Sequence, residues 1–147
     1  VMFEVYKHPS QEEIAKWIKV ARHIAVVGLS DREETASYQV SKVMQDAGYK
    51  IFPINPRQVG QQILGEPVLA SLLDLKVPID IVCVFRRSEY LADVARDFVQ
   101  IDAEVYWAQL GLESQEAYAI LKDAGCSKIV MDKCLKIEYY NSLSNLN

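Results

Sequence analysis

The stretch Ile24-Ala25-Val26-Val27 places four apolar residues in a row and ends at Gly28. A run without polar alternation is what a strand buried on both faces needs, and such strands belong to parallel sheets covered by helices. The polar segment Ser30-Asp31-Arg32-Glu33-Glu34-Thr35-Ala36-Ser37 follows, and then Val40, Val43, Met44 and Ala47 recur at helical spacing before Gly48 stops the pattern. Strand, glycine turn and helix N-terminus form the first half of a nucleotide-binding unit. Unpaired N–H groups and the positive end of the helix dipole gather there at the carboxyl end of the strand.

The rest of the chain repeats the alternation. Ser10 and Glu13 stand at capping-box spacing ahead of a helix carrying Ile14, Trp17, Ile18 and Ala21. Lys50 to Pro56 reads as a short second strand, limited by Pro53 and Pro56. Residues 57–78 read as irregular, with Gln62 to Gly65 as a degenerate edge strand and Ala70 to Asp74 as one helical turn. Ile79 to Phe85 is a second buried strand, followed by the loop Arg86 to Glu89 and a helix with Leu91, Val94, Ala95 and Phe98 on one face. Ala103 to Ala108, the loop Gln109 to Gly111, a helix from Ser114 to Gly125, and Lys128 to Met131 continue the series. Asp132 is expected to cap a final helix that includes Cys134. Strands recurring at roughly 25-residue intervals between helices predict an α/β chain, a three-layer, Rossmann-like, doubly wound parallel sheet in a single domain. The 24–28 and 79–85 strands are expected side by side at the switch point, where ligands bind outside the carboxyl ends.

Composition narrows the function classes. No apolar run reaches the ~20 residues of a membrane span, and the first residues lack the apolar core of a signal peptide. A cytoplasmic location is the expectation, and three cysteines without metal-ligand spacing fit reduced thiols. The net charge is −4 and no basic stripe is present, which speaks against nucleic acid.

Gly28-Leu29-Ser30 is not the full dinucleotide fingerprint, and the second strand ends in Asn55-Pro56 where NAD binding calls for an acid. Both departures weigh against a nicotinamide enzyme and leave phosphate binding open, with Ser30, Thr35 and Ser37 supplying hydroxyls. Four of the six arginines, Arg32, Arg57, Arg86 and Arg87, fall on loops that open on one sheet edge, an arrangement suited to a multiply charged anion. His8 and His23 fall away from that edge, so no catalytic constellation is predicted. Cys83 reads as core and Cys126 has no evident role, whereas Cys134 is expected at the ligand edge, in the first turn of the last helix.

The motifs Val26-Val27-Gly28-Leu29-Ser30, Ser37-Tyr38, Gly48 to Pro56, Ile63 to Glu66, Val84-Phe85-Arg86-Arg87, Trp107 to Gly111 and Met131-Asp132-Lys133-Cys134 occur in that order. Together they resemble the small CoA-binding proteins that are similar to the CoA-binding domain of the succinyl-CoA synthetase α subunit. The resemblance implies coenzyme A, or an acyl-CoA, held across the strand edge. Gly28, Leu29, Ser30, Arg32, Ser37 and Tyr38 would form the phosphate loop and its helix start. Asn55, Pro56 and Arg57 would border the adenosine, and Val84, Phe85, Arg86 and Arg87 the adenine and pyrophosphate. Gln109, Leu110 and Gly111 would lie along the pantetheine. Apart from the resemblance, the place of Cys134 after the last strand makes it a candidate for contact with the CoA thiol. The synthetase uses a phosphohistidine that has no counterpart at this edge, so the resemblance implies no ligase activity. An NAD(H)-dependent redox sensor and a ligand-free interaction module are the alternatives.

Overall fold

Five strands, β1 (His23–Val27), β2 (Lys50–Ile54), β5 (Ile79–Val84), β6 (Ala103–Ala108) and β7 (Ile129–Val130), form one all-parallel sheet in the order β2-β1-β5-β6-β7. The computed structural model describes residues 4–144. Helices α1 (Gln11–Val20), α2 (Ala36–Asp46), α3 (Leu91–Phe98), α4 (Gln115–Asp123) and α5 (Leu135–Ser144) flank the sheet. Strand order reverses between β1 and β5, as the doubly wound reading requires. Their register pairs Val27 with Val84, and Phe85 N–H and Gly28 N–H extend the ladders by donating to Val27 and Ile54 carbonyls at 2.8 Å each.

Successive strand residues point to opposite faces, so each buried run feeds two cores. Ile24, Val26, Ile81, Cys83, Trp107 and Val130 face Ile14 and Ile18 of α1, Val40 and Met44 of α2 and Leu135 of α5. Ala25, Val27, Val82, Val84, Tyr106 and Ala108 face Leu91, Val94, Ala95 and Phe98 of α3 and Ala117 and Leu121 of α4. Ser10 and Glu13 complete the expected capping box of α1. Asp80 binds the Arg22 and His23 N–H groups at 2.8 Å each, at the amino end of β1, opposite the ligand edge.

Two sequence expectations change. Residues 57–78 are not wholly irregular, and Gln62–Ile63 is no edge strand of the main sheet. It pairs antiparallel with Glu66–Pro67, forming β3 and β4 of a separate hairpin around Leu64 and Gly65, both at positive φ. Lys50 Nζ reaches Glu66 at 2.8 Å, tying the hairpin to β2. Asp132 does not cap the last helix, because its φ of +56° turns the chain left-handed and α5 begins only at Leu135. Its carboxylate is used across the loops instead, accepting Gly111 N–H at 2.7 Å, while its own N–H donates to the Leu112 carbonyl at 3.0 Å.

Candidate functional site

Gly28, at the end of β1, sits with φ +86° directly against β5. A Cβ placed there would stand 2.5 Å from the Phe85 carbonyl oxygen and 3.5 Å from Arg86 Cδ. The structure gives the space to the neighbouring strand's backbone, so the glycine is first a condition of the fold.

The close approach shapes two clefts at the carboxyl edge. The first, about 380 Å³, is lined by Val27, Gly28, Asn55, Pro56, Arg57, Tyr90 and the segment Phe85-Arg86-Arg87. The second, about 470 Å³, is lined by that same Phe85-Arg86-Arg87 wall together with Val40, Gln109, Leu110, Leu112, Cys134 and Lys136. The first carries three guanidinium groups; the second has Val40, Phe85, Leu110 and Leu112 on its walls. A polyanionic head with an extended, mostly apolar arm matches such a pair, and the volumes fall within the range of small-ligand sites, about 300–1,000 Å³.

The two adjacent arginines are not equivalent. Arg86 is half-buried and its guanidinium carbon lies 4.5 Å from the Tyr90 ring centre. No carboxylate among the described residues pairs with it at ion-pair distance. Arg87 is exposed and neutralised by Glu89, Nε to Oε1 at 3.2 Å. Arg86 therefore supplies the available charge at the junction of the two clefts. Arg57 also lines the first cleft, where its N–H donates to Asn55 Oδ1 at 3.0 Å. The Asn55 amide donates to the Leu29 carbonyl at 2.9 Å, which braces the β1 loop against the β2 loop.

Several predicted site residues lie elsewhere. Leu29 is fully buried among the α1 and α2 side, and Val84 is fully buried on the α3 side, so neither side chain faces a cleft. The hydroxyls of Ser30 and Ser37 each accept a backbone N–H of the loop itself: Ser30 N–H donates to Ser37 Oγ at 3.0 Å, and Arg32 N–H donates to Ser30 Oγ at 3.1 Å. Arg32 is exposed beside Glu34 at 3.9 Å and lines neither cleft. Tyr38 packs on the core, and Gly111 is spent on Asp132. The structure also brings in residues that the sequence reading passed over, namely Tyr90, Ala36, Gln39, Val40, Leu112 and Lys136. Val40 carried a legible signal as a core-facing α2 residue; Tyr90 and Lys136 reach the clefts only through the way their helices dock.

Gln109 lines the second cleft yet is a structural residue as well. It is buried, and its Oε1 accepts the Leu135 N–H at 3.2 Å, which satisfies an otherwise orphan donor in the first turn of α5. Gln109→Leu should therefore cost about 1–3 kcal/mol, the penalty for one buried unpaired donor, read as a lower urea midpoint with unchanged slope. An unaltered midpoint would show that the cap is dispensable. Among the described residues no group of His, Cys, Asp and Glu could hold a metal ion, and no helix is long and apolar enough to cross a membrane.

A doubly wound sheet with an arginine-bearing cleft at its switch point defines a Rossmann-like nucleotide-binding module. Residues 22–140 match the family model described as "CoA binding domain", and the chain belongs to that family. It is 48% identical over 133 residues to the uncharacterized protein YneT of Bacillus subtilis, spanning 90% of this chain and 96% of YneT. A 69-residue segment, 47% of this chain, is 32% identical to an ADP-forming acetate–CoA ligase of Methanocaldococcus jannaschii, of which it covers 10%. Among solved structures, the Thermus thermophilus protein ID.343 superposes with a TM-score of 0.87 at 33% identity, covering 91% of this chain and 99% of that one. A Rex-family repressor shares only the fold, with a TM-score of 0.52 at 14% identity over 88% of this chain and 61% of that one.

Proposed function

We propose that the protein binds coenzyme A across the carboxyl edge of the sheet, with the nucleotide in the first cleft and the pantetheine arm in the second. The observation that carries this reading is the shared wall. Phe85, Arg86 and Arg87 border both clefts, so one ligand can set its phosphates at Arg86 and extend in both directions. Family membership and the partial match to an acetate–CoA ligase support the same ligand. NAD fits less well, because the ribose-binding acid is replaced by Asn55, whose amide is already bonded to Leu29.

The proposal covers binding and not acyl activation. His23 opens β1 at its amino end, bonded to the Pro78 carbonyl at 3.0 Å, and His8 lies beside Tyr6 ahead of α1. His23 is thus at the edge opposite the clefts, whereas His8, contrary to the sequence expectation, is on the carboxyl side, because the Tyr6 hydroxyl it contacts accepts the Met131 N–H at 2.8 Å just past β7; His8 lines neither cleft.

A thermal-shift panel of CoA, dephospho-CoA, NAD and ATP tests the reading. Ligand at 100 times its dissociation constant adds about 2.7 kcal/mol, which for a chain of this size raises the midpoint by about 5–10 °C. CoA is expected to produce that shift and NAD none at equal concentration. Equal shifts for CoA and NAD, or no shift with CoA, would overturn the assignment, the second outcome favouring an interaction module without ligand.

A further inference from the structure

The second cleft contains a thiol. Cys134 is 8% exposed and lines the cleft, together with Leu110, Gln109 and Lys136. Its place is fixed by three hydrogen bonds on consecutive residues: Trp107 Nε1 donates to the Lys133 carbonyl at 2.9 Å, Glu138 N–H to the Cys134 carbonyl at 3.0 Å, and Leu135 N–H to Gln109 Oε1 at 3.2 Å. Beneath it lies a second thiol. Cys83 is fully buried, its S–H is 3.7 Å from the same Gln109 Oε1, and it is close enough for a negative Cys134 to raise its pKa. Burial is the larger cause of that rise and holds Cys83 as the thiol.

We propose that Cys134 faces the sulfur end of bound coenzyme A and exchanges with coenzyme A disulfide to give a Cys134–CoA mixed disulfide. This rests on the CoA reading above and deepens it, because it selects the thiol form of the cofactor over its thioesters. The shared lining carries it: Arg86 and Cys134 border the same cleft, so a ligand whose phosphates sit at Arg86 can lay its arm against Cys134. In the exchange the Cys134 thiolate attacks one sulfur of the CoA disulfide. The new Sγ–S bond forms as the CoA S–S bond breaks, and the second CoA leaves as a thiolate that takes a proton from solvent. The disulfide itself is the oxidant. Cys83, held protonated and out of reach of solvent, does not displace the CoA, so the adduct is the end point and no Cys83–Cys134 bridge forms. Cys126 precedes β7 at the opposite sheet edge and lies outside both clefts, which makes it an internal control.

The test treats the full chain with CoA disulfide, or with glutathione disulfide at equal concentration, and follows the adduct by intact mass and peptide mapping. Parallel samples contain desulfo-CoA, which lacks the sulfur and can bind only non-covalently. The expected result is one CoA per chain on Cys134, formed about tenfold or more faster than the glutathione adduct because binding positions the reacting sulfur. Desulfo-CoA suppresses it, Cys126→Ser leaves it unchanged, and Cys134→Ser removes it. If desulfo-CoA shifts the midpoint but no Cys134 adduct forms, this proposal is overturned and the binding reading stands. Equal rates with glutathione disulfide, no suppression by desulfo-CoA, or a Cys83–Cys134 bridge would overturn it equally. Failure of desulfo-CoA to shift the midpoint would instead remove the binding reading on which it rests.

Discussion

Gly28→Ala is expected to destabilise the protein by about 2–5 kcal/mol, whereas Gly125→Ala should cost only about 1–2 kcal/mol. The two glycines share a φ of +86°, so the left-handed backbone penalises an alanine equally at both. They differ in what the new methyl meets. At Gly125 no atom lies within 4 Å, while at Gly28 the Phe85 carbonyl oxygen lies at 2.5 Å and belongs to a paired strand that cannot give way alone. The excess loss at Gly28 thus measures the closeness of β1 to β5 at the switch point. Urea unfolding of both variants reads it directly. Since a domain is stable by about 5–15 kcal/mol in all, Gly28→Val, with two further carbons to place, should leave little folded protein. Equal losses at the two glycines would mean that the strand end relaxes and that the clefts are less rigid than their geometry implies.

Gly28 also shows which parts of this molecule could be read from the chain and which could not. Its position after four apolar residues was enough to place the strand end, the turn and the ligand edge, because burial on both faces and a residue tolerant of positive φ are local properties. The reason for the glycine was not local: the Phe85 carbonyl arrives from 57 residues along the chain, where an apolar run gives no sign of how closely it will pass. Asp132 misled for the same reason. An aspartate between a strand and an apolar-patterned segment has the chemistry of a helix cap, but the Gly111 N–H of another loop offers it a partner at 2.7 Å and draws the chain left-handed. Ser30 and Ser37 have the composition of a phosphate loop, yet the intervening chain folds back so that the Ser30 N–H bonds to the Ser37 hydroxyl. The adjacency of β1 and β5 in a doubly wound sheet was legible, because both are apolar runs buried on two faces. The hairpin of residues 62–67 was not, since two-residue strands carry no periodicity to detect.

Arg86→Ala is expected to weaken CoA binding by about tenfold to a hundredfold, and Arg87→Ala by less than about threefold. Sequence alone leaves these neighbours indistinguishable, as adjacent cations on one loop. In the structure Arg86 is half-buried at the junction of the clefts with its charge unpaired by any described carboxylate, while Arg87, which borders the same clefts, is exposed and pairs with Glu89 at 3.2 Å. A charge-assisted hydrogen bond to a phosphate contributes about 1.5–3 kcal/mol where the group is shielded from water, and each 1.4 kcal/mol is tenfold in affinity. An exposed, already paired cation contributes far less. Arg86→Lys should recover only part of the loss, because an ammonium cannot stack on Tyr90 or bridge two phosphate oxygens as a guanidinium can. Isothermal titration at two salt concentrations separates the contributions. The affinity of the Arg86 variant should fall less steeply with added salt than that of the unaltered protein, since the lost contact is the screened one. Equal losses at the two positions, or a larger loss at Arg87, would place the phosphates on the outer side of the loop, away from the wall that the two clefts share.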